Sequence, residues 1–310
     1  MKRASPDFFM YGVFFIVGPT ATGKSEIAAD VAHGLNAEIV SADAFQIYRG
    51  LDLLTAKPDA ATMAKVPHHL IGTMSILEEM NAERFRKLAL GAISEIHSRG
   101  KLAIVVGGSG LYIKALTHGL SCVPAADPDL RAQLNELSLA DLQEKLRGLD
   151  PKTDVDLKNR RRVVRALEIC LLSGMRASEE RDGWQREITN QGVFVFRDRE
   201  DLYERINQRV GEMFEAEVIA EVRGAGVMSE TAAKMIGLRE IRELLDGKMS
   251  IRQAVAAIQQ TTRRYAKRQL TWFRRQTNFQ SLNLSVLSHV ESVERISQFA
   301  KTLEVAQAND

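Results

Sequence analysis

The chain has 310 residues, 45% hydrophobic and 26% charged, with 42 basic against 40 acidic side chains and a formal net charge of +2. This is the mixture of a soluble globular protein with one large domain or two smaller ones. It excludes a disordered chain, a disulfide-stapled miniprotein and a multi-span membrane protein.

In chain order, the apolar run at 8–17 follows Lys2 and Arg3 and has the outline of a short signal peptide. It leads directly into GPTATGKS, and cleavage there would sever that motif, so a buried parallel strand is expected. A helix is expected over 24–34, a short strand at Glu38–Ser41 running to Asp43, and a helix over 81–99 from the N-cap Asn81 to the stop Gly100. Leu102–Val106 reads as another buried strand, followed by Gly107-Gly108-Ser109-Gly110 and a helix from Leu111. Strand, glycine turn and helix in repetition define a doubly wound α/β sheet, whose ligands bind at the carboxyl ends of the strands. The turns at 18–25, 41–46 and 107–110 all fall there. From Pro124 to about 183 the chain is helical and highly charged. Val193–Phe196 looks like a returning strand, and 201–276 is helical with Gly224, Gly226, Gly237 and Gly247 as breaks. The expected fold is an α/β P-loop NTPase-like core of parallel strands flanked by helices (8–123 and 193–280). It carries an α-helical insertion at 124–192 and a tail at 281–310 without a legible pattern.

Gly18-Pro19-Thr20-Ala21-Thr22-Gly23-Lys24-Ser25 fits G-x-x-x-x-G-K-[ST] between a strand and a helix, the context that makes such a loop a phosphate cradle. Backbone N–H groups at the positive end of the helix hold a di- or triphosphate, Lys24 adds charge, and the Ser25 hydroxyl would ligate Mg²⁺. The late strand ends in glycines, without the Asp that an ATPase places there. Asp43 ends the early strand instead. It reads as a holder of metal-bound water, as a general base, or as a turn or cap residue. Adjacent His68 and His69 point apart on any regular element and read as structural. Cys122 and Cys170 lack zinc-site spacing and read as buried thiols of a reducing cytosol. Four arginines fall within 160–165, and 251–276 holds seven basic residues and no acidic one, interleaved with Tyr265, Trp272 and Phe273. Such clusters suit a phosphate backbone and stacked unpaired bases, or else a solvated helix face.

These motifs taken in order resemble the tRNA dimethylallyltransferases (tRNA isopentenyltransferases, the IPP transferase family) of bacterial type. The resemblance spans about 13–276. It rests on GPTATGKS, SADAFQIYRGLDLLTAKP (41–58), VPHHLIG (66–72), VVGGSGLYIKAL (105–116), ADPDLR (126–131), RRVVRALEI (161–169), LYERINQRV (202–210) and YAKRQLTWFRR (265–275). It implies transfer of a dimethylallyl group from dimethylallyl diphosphate to N6 of adenosine 37 in tRNAs that read codons starting with U. A cytoplasmic, monomeric, Mg²⁺-dependent enzyme without membrane association is expected, binding the anticodon stem-loop with its insertion. The resemblance makes Asp43 the base, with Lys24, Ser109 and Arg209 as catalytic partners, and puts the diphosphate in the Gly18–Ser25 loop. It assigns tRNA contacts to Asp43, Ala44, Phe45, Gln46, Ser109, Arg131, Arg161, Arg162, Val163, Val164, Arg165, Lys234, Ile236, Gly237, Leu238 and Arg239. Ala44-Phe45, Leu54 and Leu238-Arg239 depart from the family's usual residues at positions that bear on the adenine's neighbours. The rival readings are a P-loop small-molecule or nucleotide kinase, a non-catalytic RNA-binding P-loop protein and a prenyltransferase acting on free adenine nucleotides.

Overall fold

Every residue of β1 (Val13–Val17) is buried, because the strand is covered on both faces. Val13, Phe15 and Val17 enter one apolar layer, and Phe14 and Ile16 enter the other, as the two-residue period of a strand demands. The structure, a computed structural model, describes residues 12–120, 124, 127–182, 191–276 and 278–307. Positions 8–11 of the expected first strand and Cys122 lie outside these.

The chain continues through α1 (Lys24–Gly34), β2 (Glu38–Ser41), α2 (Ala60–Lys65), β3 (His68–His69), α3 (Ala82–Ser98), β4 (Ala103–Gly107) and α4 (Gly110–Thr117). Then come α5 (Pro128–Glu136), α6 (Leu139–Leu149), α7 (Arg160–Ser173) and α8 (Ala177–Asp182). It returns as β5 (Gln191–Phe196), α9 (Arg199–Glu215), α10 (Val218–Gly224), α11 (Leu238–Leu245), α12 (Ile251–Gln276), β6 (Gln280–Asn283) and α13 (His289–Gln307). The strands form one parallel sheet in the order β3-β2-β4-β1-β5-β6. The chain divides into two compact units, with α5–α8 in one and the sheet with its helices in the other. The helical unit closes on its own core, which includes Leu134, Leu142, Leu146, Val163 and Leu167. Among the described residues no helix is long and apolar enough to cross a membrane.

One expectation needs correction. Of the expected tail at 281–310, residues 281–307 are built into the sheet unit. Leu282 and Leu284 are buried, β6 pairs with β5, and α13 inserts Ile296 and Ala300 into the layer that holds α1. The pattern was illegible because an edge strand buries few of its residues; of Gln280–Asn283, only Leu282 is buried. The expected glycine breaks hold: α10 ends at Gly224, Gly226 follows it, Gly237 N-caps α11 and Gly247 lies just beyond its end, and a further break between α9 and α10 falls at Glu217, with φ 68°. The helices at 24–34 and 81–99 and the strands at 38–41 and 102–106 form within a residue of expectation, and Asn81 accepts from the Arg84 N–H at 2.8 Å.

At the head of β2 the buried carboxylate of Glu38 collects two cationic side chains and a histidine. Arg99 donates to it through Nε (3.1 Å) and Nη2 (2.7 Å), Lys101 lies at 3.2 Å, and His69 Nε2 donates at 2.8 Å. The Arg99 hydrogen bonds, with those of His69 and Lys101, outweigh the cost of burial and hold the carboxyl down at about 2. A depressed carboxyl contributes stability that is complete above its unfolded value and is lost as the pH falls toward its folded one. Glu38→Gln is expected to lower the unfolding free energy by about 2 kcal/mol, below the roughly 3–5 kcal/mol of a fully buried ion pair because its cations reach water. Urea titrations at pH 7 and pH 3 check this: the difference between the two proteins should be large at pH 7 and shrink below about pH 4.

Candidate active site

The loop after β1 is shaped by its carbonyl groups. The Thr22 hydroxyl (3.0 Å) and Lys24 Nζ (3.2 Å) both donate to the Pro19 carbonyl. From α9, Arg205 Nε donates to the Ala21 carbonyl at 2.9 Å. Arg197 Nε, from just before α9, donates to that of Thr22 at 2.8 Å. With the carbonyls turned outward to these cations, the N–H groups that follow are left to the concave side. Gly23, at φ 87°, makes the left-handed step into α1, whose first turn has no side-chain cap. An anion is the natural partner for such an end.

The cradle is narrower than its motif. The Gly18 N–H is spent on the Gly107 carbonyl (3.2 Å), Pro19 has none, and the Thr20 N–H donates to Gln269 Oε1 (3.0 Å). The main-chain N–H groups of Gly18 and Thr20 are thus spent on the loop itself, whereas among the described residues no such bond engages those of Ala21, Thr22 and Gly23. Gln269 also donates Nε2 to the Gly108 carbonyl at 2.8 Å, so a single buried amide of α12 ties the first and third turns together. A Cβ at Gly108 would lie 2.3 Å from that Nε2, which explains the glycine.

Asp43 stands at the second turn. Its Oδ1 accepts from the N–H groups of Phe45 (2.9 Å) and Gln46 (3.3 Å), so the turn reading is correct for one oxygen. Its Oδ2 has no hydrogen-bond partner among the described residues. Asp43 lies in the electrostatic reach of both Lys24 and Arg209. Arg209 Nη1 donates to Thr20 Oγ1 at 2.9 Å. Burial lowers the Lys24 ammonium to about 8, Arg209 acting in the same sense and Asp43 opposing. Ser109 already has partners, since its Oγ accepts from the Ala44 N–H (3.0 Å) and it hydrogen-bonds the Tyr265 phenol. It holds the Asp43–Ala44 turn against the third turn. Burial pushes the Tyr265 phenol up, so it stays protonated.

Two cavities meet at Asp43. One, of about 350 Å³, is lined by Lys24, Ser25, Ser41, Gln46 and His68. The other, of about 540 Å³ and open to solvent, has a polar end at Thr20 and Arg209 and an apolar wall of Phe45, Leu54, Val210, Met213, Met235, Ile236 and Ile258. Its rim segment at 51–57 is pinned by Glu221 of α10, which accepts from the N–H groups of Leu53 and Leu54 (both 2.9 Å). Gln46 pins it too, donating to the Ala56 carbonyl at 2.8 Å.

The residues expected to touch RNA are divided by the fold. In the helical unit Val163 and Val164 are core residues, a correction to their expected role, because the inward stripe of α7 must be apolar. Arg131 is bidentate to the fully buried Glu168 (2.8 and 2.6 Å). Arg165 donates to the same carboxylate (3.3 Å) and to the Pro124 carbonyl (2.7 Å). Arg161 and Arg162 are exposed. In the sheet unit Leu238 is also buried, again at odds with a contact role, and Gly237 turns the chain at φ 91°. Lys234 and Arg239 are exposed, and Ala44, Phe45, Gln46 and Ile236 are half-buried. Residue patterns alone missed Gln269, Arg197, Arg205 and Glu221. For Gln269 a signal existed, because it interrupts the buried stripe Ala254, Ile258, Thr262, Ala266, Phe273 with an amide.

The parallel strand order, the anion cradle and a half-satisfied carboxylate beside it define a P-loop enzyme suited to group transfer from a phosphorylated donor. The family model described as IPP transferase matches residues 46–276. The tRNA dimethylallyltransferase 1 of Citrifermentans bemidjiense is 41% identical over 90% of this chain and 95% of its own length. That of Akkermansia muciniphila is 41% identical over 84% and 90%. The full-length tRNA isopentenylpyrophosphate transferase of Bacillus halodurans has a crystal structure that superposes with a TM-score of 0.71 at 36% identity, covering 96% of this chain and 98% of that one. The chain belongs to the IPP transferase family.

The lowered Lys24 has a measurable consequence. Affinity for inorganic diphosphate should fall as the pH rises through about 8, where the free protein loses the Lys24 proton. Lys24→Met should bind more weakly at pH 7 and lose that inflection. Calorimetric titrations of both proteins between pH 7 and 9.5 check it.

Proposed function

We propose that this chain, a prenyltransferase acting on tRNA, uses dimethylallyl diphosphate as donor and N6 of adenosine 37 in the anticodon stem-loop as acceptor, working as a monomer. The observation that carries this reading is the position of Asp43, between a cationic phosphate cradle and a cavity with one polar end and one apolar wall. A five-carbon chain suits the wall and a diphosphate suits the cradle.

The amine of adenine is a weak nucleophile because its lone pair is delocalised into the ring. As N6 bonds to C1 of the donor, the C1–O bond breaks and diphosphate leaves with the electron pair. Asp43 Oδ2 accepts the N6 proton, its partner oxygen being held by the turn. Lys24, Arg209 and the free N–H groups of the loop stabilise the departing anion, where fixed dipoles act most strongly. Leu54, Val210, Met213 and Ile258 keep water from the allylic carbon.

Mg²⁺ fits the donor set. Among the described residues no three His, Cys, Asp or Glu side chains cluster to hold a metal. A lone Ser25 hydroxyl beside a phosphate cradle matches an ion that keeps most of its waters and binds through substrate phosphates. When bound, it neutralises charge on the diphosphate oxygens.

The RNA would lie along exposed cations. Arg264, Lys267, Arg268, Arg274 and Arg275 of α12 are exposed at spacings that keep them near one helix face. The helical unit, taken by itself, exposes Arg161 and Arg162. The base must leave its stack, at a cost of a few kcal/mol that is smaller in a loop.

Asp43→Asn should lower kcat by about 10²–10⁴-fold while leaving diphosphate and tRNA affinity near wild type, measured by transfer of labelled dimethylallyl to an anticodon stem-loop. Transfer of label from ATP to a small acceptor, with none from the prenyl donor, would establish the kinase reading instead. The double substitution Arg264→Glu, Arg268→Glu should weaken tRNA binding and shrink the slope of log K against log salt by roughly 0.7 for each phosphate that the protein no longer neutralises, read by filter binding from about 50 to 300 mM KCl.

A further inference from the structure

His68 and His69 are adjacent, but β3 sends them to different tasks. His69 belongs to the Glu38 ion cluster. His68 lines the cavity shared by Lys24, Ser25 and Asp43. Its Nδ1 is 2.8 Å from the Val66 carbonyl, which can only accept, so Nδ1 carries the proton and Nε2 a lone pair. That Nε2 is buried and has no hydrogen-bond partner. Burial lowers His68 and so favours the same neutral form. A buried acceptor without a donor is costly, so one placed against a ligand cavity signals a donor that arrives with the ligand.

Of the chain's own donor groups around this cavity, the Ser25 hydroxyl is the one read as the ligand of the ion, and three others already have partners. Lys24 Nζ donates to the Pro19 carbonyl, Gln46 Nε2 to the Ala56 carbonyl and the Ser41 hydroxyl to Gln46 Oε1 (3.4 Å). Diphosphate is an acceptor throughout and offers His68 nothing. The waters of a magnesium ion are donors, two protons each, and the ion retains several of them. We propose that His68 is a positioning residue that accepts a hydrogen bond from a water of the magnesium ion held at Ser25, fixing that ion's hydration shell between β3 and the phosphate loop. The proposal rests on the reading of Ser25 as a Mg²⁺ ligand.

The test uses Mn²⁺ as a spectroscopic substitute, with inorganic diphosphate, on full-length wild type, His68→Phe, His68→Gln and Ser25→Ala. Free Mn²⁺ is read by its electron paramagnetic resonance signal. Wild type should retain Mn²⁺ in the presence of diphosphate. His68→Phe should bind it about tenfold or more weakly, the usual cost of losing a group that orients a metal's ligands. His68→Gln, whose amide oxygen can accept the same hydrogen bond, should recover to within about threefold of wild type. Metal-free diphosphate affinity should be unchanged in both, which also shows the variants are folded. Wild-type Mn²⁺ affinity in His68→Phe alongside a loss in Ser25→Ala overturns the role of His68 and leaves the metal reading standing. Failure of wild type itself to retain Mn²⁺ overturns both. A strong ¹⁴N coupling to bound Mn²⁺ that vanishes in His68→Phe would mean direct ligation and overturn the water-mediated contact.

Discussion

The site depends on where the carbonyl oxygens of residues 19–22 point. A phosphate cradle works only if the peptide dipoles of the loop are turned the same way, and a free loop would not keep them so. Here Lys24, Arg205 and Arg197 hold the carbonyls of Pro19, Ala21 and Thr22, and Gln269 takes the N–H of Thr20 that would otherwise point astray. Arg197 is braced in turn by Asp201 (2.9 Å) and by the Leu284 carbonyl (3.1 Å). The segment after α12 therefore reaches the active site without touching it, and the N–H groups are aligned before any anion arrives.

The same economy governs the charges. A net charge of +2 hides two populations of arginine. One is committed inside the protein: Arg99 to Glu38, Arg131 and Arg165 to Glu168, Arg197 and Arg205 to the loop, Arg209 to Thr20. The other is exposed on α7 and α12. Of the second, Arg268 and Arg274 rest on the rings of Tyr265 and Phe196 (5.7 and 5.5 Å), a contact that leaves their N–H groups unspent on any carboxylate among the described residues. The cluster at 160–165 contains both kinds: Arg160 binds the carbonyls of Asn135 and Leu137 (2.8 and 2.7 Å), Arg165 is engaged, and Arg161 and Arg162 are exposed.

The two oxygens of Asp43 are treated unequally. The turn takes one and leaves the other, so the carboxylate is held without being neutralised. Ser109, whose side chain was expected at the substrate, braces that turn from the third loop. The apolar wall opposite is held by hydrogen bonds to its backbone, from Glu221 and Gln46, so side chains such as Leu54 can vary without loosening the wall.

Local sequence determined the elements whose signal is local. Continuous apolar runs identified β1 and β4, the glycine-lysine-serine spacing identified the cradle, and Asn81 and Gly100 bounded α3. Each depends on residues within a few positions of one another, so one-dimensional pattern suffices. The motif order also made the family legible. Tertiary structure decided what depends on distant partners. It decided that Val163 and Val164 face a core, that Gln269 reaches Thr20 across 249 positions, and that Asn283 and Leu284 belong to the sheet unit. It also separated His68 from His69, giving one to a cavity and the other to a hydrogen bond with Glu38. The physical reason is the same in each case. A side chain's type says what it can bond to, but its partner is set by which backbone the fold brings within about 3 Å, and that is not written in its neighbours along the chain.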